Sequence, residues 1–177
     1  MSKLKKGFIQ VYTGKGKGKT TAALGVAVRA AGYGLRTLIV QFMKEYPYSE
    51  LESLKNLNRW ITILQFGKDE FVYKGQKPLD EDIETAKRAM VFVKEKMMKK
   101  EYDIIILDEI LVSIYFELLN TSEVTGLIQS KPEELELILT GRYCPDEIIE
   151  IADLVTEMKE IKHYYSQGIL SRKGIDS

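Results

Sequence analysis

The sequence predicts an α/β fold, with a mostly parallel central sheet and helices on both faces. Short, nearly continuous apolar runs alternate with longer stretches of helical periodicity. That is the pattern of strands buried on both faces and joined by crossover helices. The second observation is bulk: 177 residues, 45% hydrophobic and 29% charged, suit one globular domain spanning 1–177 and exclude a disordered chain.

The elements follow in order. Phe8-Ile-Gln-Val-Tyr12 reads as the first strand and Lys19 to Ala31 as the first helix, stopped by Gly32 and Gly34. Thr37-Leu-Ile-Val-Gln-Phe42 is the second strand, Ser49 to Asn56 a short helix, and Trp60-Ile-Thr-Ile-Leu-Gln-Phe66 the third strand. A long helix runs from Asp80 to Lys100, with Asp80, Glu81 and Asp82 at its positive end. Tyr102 to Asp108 is the fourth strand, and helices follow over Ser113 to Leu119 and Ser122 to Gln129. The fifth strand is Leu135 to Thr140. A helix over Pro145 to Asp153, with proline tolerated at its first position, leads to a last strand over Leu154 to Met158. Lys44 to Tyr48 and Gly67 to Pro78 carry no element, and the second is long enough to be a functional loop.

Lys plus Arg equals Asp plus Glu at 26 each, so no global attraction to nucleic acid or acidic membranes is implied. A single cysteine, Cys144, forms no internal disulfide, and one histidine, His163, excludes a zinc site of Cys and His alone. With no apolar run near a membrane span and no signal-peptide core after Lys6, a cytoplasmic protein is expected.

Thr13-Gly-Lys-Gly-Lys-Gly-Lys-Thr-Thr21 follows a strand and opens a helix, the context of a phosphate-binding loop. Glycines let backbone N–H groups turn inward around an anion, and the helix N-terminus adds its positive end. Gly14, Gly16, Gly18, Lys19, Thr20 and Thr21 are therefore ATP-binding candidates; Lys15 and Lys17 either touch phosphates or stay solvated. Lys19 reaches phosphate oxygens, and the Thr20 hydroxyl suits Mg²⁺, an oxygen-seeking ion. Only three residues separate Gly14 from the final Gly-Lys, where four are usual. Ile104-Ile-Ile-Leu-Asp108-Glu109 is expected beside the loop strand, where Glu109 or Asp108 completes the Mg²⁺ site. Arg29 on the first helix, Gln41 at the end of the second strand and Arg142 after the fifth are further nucleotide contacts, or surface and structural residues.

Taken in order, Thr13 to Gly25, Arg29-Ala-Ala-Gly-Tyr-Gly34, Gln41-Phe-Met-Lys44, Leu107-Asp-Glu-Ile110, Leu139-Thr-Gly-Arg142, Ala152 to Met158, Lys162-His163, Gly168-Ile169 and Gly174-Ile-Asp176 form a specific set. The chain resembles the corrinoid adenosyltransferases of the phosphate-loop, cobalamin-biosynthesis type, which share the shortened loop. The resemblance implies a RecA-like fold, a homodimer, and transfer of the 5′-deoxyadenosyl group of ATP to Co(I) of a reduced corrinoid, with Mg²⁺ accompanying ATP. It also implies an intact triphosphate product, a nucleotide reversed in the loop, and an electron-donor flavoprotein as a partner. Lys19, Thr20 and Glu109 become the catalytic set. Phe71, Tyr73 and Lys44 become corrinoid contacts, the two aromatics against the lower face of the ring. The chain departs from the family pattern at Glu45, Ser49 and Tyr73, and a lid helix ahead of Phe8, carried by some members, is not expected. The competing readings are a phosphate-loop hydrolase or kinase, a RecA-like motor on nucleic acid, and a corrinoid carrier with little turnover.

Overall fold

A computed structural model describes residues 4–45, 48–67 and 78–176. Six strands, β1 (Ile9–Thr13), β2 (Thr37–Phe42), β3 (Ile61–Phe66), β4 (Ile104–Asp108), β5 (Glu136–Thr140) and β6 (Leu154–Glu157), form one sheet in the order β3-β2-β4-β5-β1-β6. Every pairing in it is parallel. Among the described residues, six α-helices surround it: α1 (Lys19–Tyr33), α2 (Ser49–Leu54), α3 (Asp80–Met98), α4 (Ile110–Tyr115), α5 (Thr121–Gln129) and α6 (Asp146–Ile151). Among the described residues, no helix is long and apolar enough to cross a membrane.

Strand alternation divides the core into two layers. Val11, Leu38, Val40, Phe42, Ile105, Leu107, Leu137 and Leu139 face a layer made with α3, α4, α5 and α6. Tyr12, Ile39, Ile104, Ile106 and Ile138 face the other layer, made chiefly with α1. The buried face of α1 is Ala23, Ala27, Ala30 and Ala31. Side chains this small let the helix axis lie close over the sheet, so the start of α1 sits against the strand ends.

Several boundaries move from the sequence expectation. Gly32 lies inside α1, where a Cβ would meet nothing within 4 Å, and the helix stops only at Gly34, whose φ of 85° is left-handed. Tyr102 and Asp103 precede β4, because the Asp103 carboxylate accepts the Arg36 N–H (2.8 Å) and turns the chain there. α4 begins at Ile110 rather than Ser113 and ends at Tyr115, short of Leu119. Pro145 is the N-cap of α6, one residue before its first turn, and α6 ends at Ile151. α3 ends two residues early, next to Lys100 at φ 51°. A further correction concerns layout: β4 is not beside β1, because β5 lies between them.

Candidate functional site

The loop between β1 and α1 owes its glycines to its neighbours. Gly14 and Gly18 have φ of 97° and 114°, which a side chain disfavours. A Cβ on Gly14 would stand 2.5 Å from the Met158 carbonyl oxygen, and one on Gly16 2.6 Å from it. The Gly16 N–H donates to that oxygen (2.6 Å), so the chain leaving β6 props the loop. The buried Lys19 ammonium donates to the carbonyls of Gly14 (2.9 Å) and Gly16 (2.8 Å). Burial lowers its pKa, and Glu109 partly offsets that.

Strand parity places the next layer. Gln41, one residue before the end of β2, and Asp108 and Thr140, at the ends of β4 and β5, lie on the α1 side of the sheet, and all three are buried. Asp108 Oδ1 accepts from the Thr20 hydroxyl (2.8 Å) and the Thr140 hydroxyl (2.7 Å). Its Oδ2 accepts from the Lys44 ammonium (2.8 Å) and the Gln41 amide (3.1 Å). Gln65 in turn donates to Gln41 Oε1 (3.0 Å). Burial raises the Asp108 pKa, but Lys44 and the hydroxyl donors outweigh burial and hold it below the usual carboxylate range. Burial likewise pulls Lys44 down, and its pairing with Asp108 overrides that, leaving its pKa raised. Four donors occupy the lone-pair sites of this carboxylate. Asp108 thus bridges α1, β2, β4 and β5 and spans the gap that β5 opens between β4 and the loop.

Glu109, one residue on, has a different setting. Its φ of 63° is left-handed, and its N–H donates to Thr140 Oγ1 (3.0 Å). Burial first, then the Asp108 charge, raises its carboxyl pKa. Among the described residues its carboxylate receives no hydrogen bond, so its oxygens remain available beside Thr20. Mg²⁺ takes few protein oxygens and keeps several for water and phosphate. Glu109 and the lone pairs of Thr20 Oγ1 fit such an ion; Asp108, saturated and paired with Lys44, does not. Gly141 follows β5 at φ 141°, where a Cβ would press on Leu111 at 2.8 Å, and it turns Arg142 out toward the loop.

A cleft of about 370 Å³ is lined by Lys15 to Thr21, Glu109, Arg142, His163 and Ile175–Asp176, among others. A second cleft, about 530 Å³, shares Thr20, Thr21, Glu109, Ile175 and Asp176 with it and extends along Lys44, Tyr48 and Glu50. The structure therefore gathers Lys15 to Thr21, Glu109 and Arg142 at one cleft. Gln41 sits behind it, its amide spent on Asp108, Glu50 and Gln65. Arg29 is exposed, about 15 Å along α1 from Lys19 at 1.5 Å per residue. Lys44 turns inward onto Asp108. Phe71 and Tyr73 lie outside the described residues. His163 lines the cleft, and its Nδ1 accepts the Tyr165 N–H (3.1 Å), so that atom caps a turn. Sequence reasoning quoted Thr140, Met158 and Asp176 within motifs but gave them no role, because each acts through a contact distant along the chain, and it did not single out Tyr164.

The profile of the ATP:corrinoid adenosyltransferase BtuR/CobO/CobP family matches residues 5–177. The chain belongs to this family. The corrinoid adenosyltransferase of Escherichia coli (strain K12) is 33% identical over 172 residues, covering 97% of this chain and 86% of that protein. Corrinoid adenosyltransferase CobA of Salmonella typhimurium (strain LT2) is 33% identical over 174 residues, with 97% and 86% covered. The Pseudomonas aeruginosa corrinoid adenosyltransferase is 29% identical over 172 residues, with 97% and 84% covered. The match takes in every element that builds the cleft, from the loop of this adenosyltransferase family member to Asp176.

Proposed function

We propose that this chain transfers the 5′-deoxyadenosyl group of ATP to Co(I) of a reduced corrinoid and releases triphosphate. The observation that carries the reading is the near-full-length family match, whose phosphate loop, β4 acids and Arg142 converge on one cleft. The cobalt electron pair forms the Co–C5′ bond, and the C5′–O bond breaks with its pair on the leaving triphosphate. No proton moves at C5′, so no general base is required. Asp108, saturated by four donors, then serves as a scaffold rather than a base.

The chain's part is to place ATP and to stabilise charge gathering on the triphosphate. Lys19, Arg142 and the loop backbone are suited to that, acting as preorganised donors. Alignment of the two reactants lowers the barrier further. Mg²⁺ held by Thr20 and Glu109 would add positive charge beside the phosphates. On this reading the loop binds the triphosphate reversed, through Gly14, Gly16, Gly18, Lys19, Thr20 and Thr21. Phe71 and Tyr73 attend the corrinoid, Lys44 lines the second cleft while paired with Asp108, and Gln41 acts through Asp108. The reading extends to a cytoplasmic homodimer served by an electron-donor flavoprotein, supported by the family resemblance.

Incubating the protein with ATP, Mg²⁺ and a chemically reduced corrinoid tests the proposal. The visible spectrum should move from Co(I) to the alkylated form, with one triphosphate released per corrinoid. ADP or orthophosphate in that stoichiometry would replace the reading with a hydrolase or kinase. Lys19→Ala should remove most of the activity, because each lost charge-assisted hydrogen bond is worth about 1.5–3 kcal/mol.

A further inference from the structure

The segment beyond β6 has little regular structure besides one 3₁₀ turn (Tyr164–Gln167), which buries no residue. Polar contacts hold it, and they converge on Asp176. The Asp176 carboxylate accepts from the Lys17 ammonium, the Tyr164 hydroxyl, the Arg172 backbone N–H (3.0 Å) and the Arg172 guanidinium (3.0 Å). The Arg172 guanidinium also lies 4.5 Å from the centre of the Tyr164 ring, a cation–π distance. Lys17 gives a second hydrogen bond to the Ile175 carbonyl (3.0 Å). Only 10% of the Asp176 side chain is exposed, against 42% of Lys17. Ile175 and Asp176 line both clefts, so this segment is their common wall.

We propose that Asp176 is a positioning residue for nucleotide binding: it clasps the C-terminal segment onto Lys17, and Lys17 tethers that wall rather than ligating a phosphate. An ammonium has three donors, and Lys17 commits two of them to the segment. The three other donors to Asp176 all belong to the segment itself, which stays folded around the carboxylate; Lys17 is its ionic link to the loop. An exposed ion pair is screened by salt, so the clasp loosens as ionic strength rises. The inference rests on the nucleotide-binding half of the proposed function and not on the transfer step.

The test compares the parent with Asp176→Asn, Lys17→Met, the double variant and Lys17→Arg. Titration calorimetry measures Mg²⁺-ATP and inorganic triphosphate binding. Timed trypsin digestion reads cleavage after Arg172 and Lys173. Each single variant should weaken Mg²⁺-ATP about three- to fivefold, the scale of one exposed pair, and should be cut faster. The double variant should bind no worse than the weaker single, because one link has been removed twice. Lys17→Arg should restore most of both signals. Parent-like binding and cleavage in Asp176→Asn would overturn the proposal. So would a double variant in which the two losses multiply, since Lys17 would then be touching phosphate independently. Failure of adenosyl transfer with these results intact would remove the proposed reaction and leave the clasp standing.

Discussion

Two adjacent carboxylates, Asp108 and Glu109, stand in opposite surroundings. Asp108 is buried, ionised and fully bonded; Glu109 is strained at a left-handed φ, and its carboxylate is unbonded among the described residues. Glu109→Gln should fold normally, need more Mg²⁺ for half-maximal rate and turn over about ten- to a hundredfold slower, the range for losing a charge-stabilising group. Steady-state rates over a Mg²⁺ series check this. Asp108→Asn should act on stability instead, because it strands the buried Lys44 charge at a cost of about 3–5 kcal/mol. Adding Lys44→Met should recover much of that loss in a thermal melt; simple additivity would show that the pair is not coupled. The pairing Asp108-Glu109 was legible as an acid site from its place after Ile104 to Leu107. Which acid does what was not, because that depends on strand parity and on Thr140 from β5.

Among the elements, the loop and α1 respond to steric detail. Gly16→Ala should cost about 1–3 kcal/mol and weaken ATP binding, because its methyl would meet the Met158 carbonyl oxygen at 2.6 Å and force backbone, not a flexible side chain, to move. Gly25→Ala, within α1 and with nothing within 4 Å of its Cβ, should stabilise by about 0.5–1 kcal/mol and leave binding alone. Denaturant titration and calorimetry separate the two. The C-terminal segment responds to pH. Hydrogen bonds from Lys17, Tyr164 and Arg172 hold the Asp176 carboxyl below its ordinary range. A depressed acid contributes stability that is present above its unfolded pKa of about 3.9 and lost as pH falls through the folded value. The clasp should therefore persist at pH 5 and open only in stronger acid, as followed by the NMR signal of the Arg172 side-chain N–H. The apolar strands and the Gly-Lys-Thr helix start were legible because local pattern decides them. α4 was misplaced because Ile110-Leu-Val carries no cap signal, and its start is fixed by the turn at Glu109.

Across the whole molecule, α1 is seated by its alanines. Ala27 is fully buried between helix and sheet. Ala27→Leu should cost about 1–3 kcal/mol by overpacking, lower the melting temperature and draw Thr20 away from Asp108, so ATP affinity should fall with it. Parent-like affinity in a destabilised Ala27→Leu protein would uncouple helix seating from the site. The fold class was legible in full, but strand order was not: nothing local places β5 between β4 and the loop strand. That order bears on how the protein is born. Synthesis makes β1 first, yet its partners are β5 and β6. The loop that follows β1 leans on Met158, and Lys17 waits for Asp176. Contacts so distant along the chain form late, and a ribosome extends a chain by about 5–20 residues per second. The first strand of the sheet to be translated is thus the last to be set, and a nascent chain halted before residue 154 should present the phosphate loop without holding ATP.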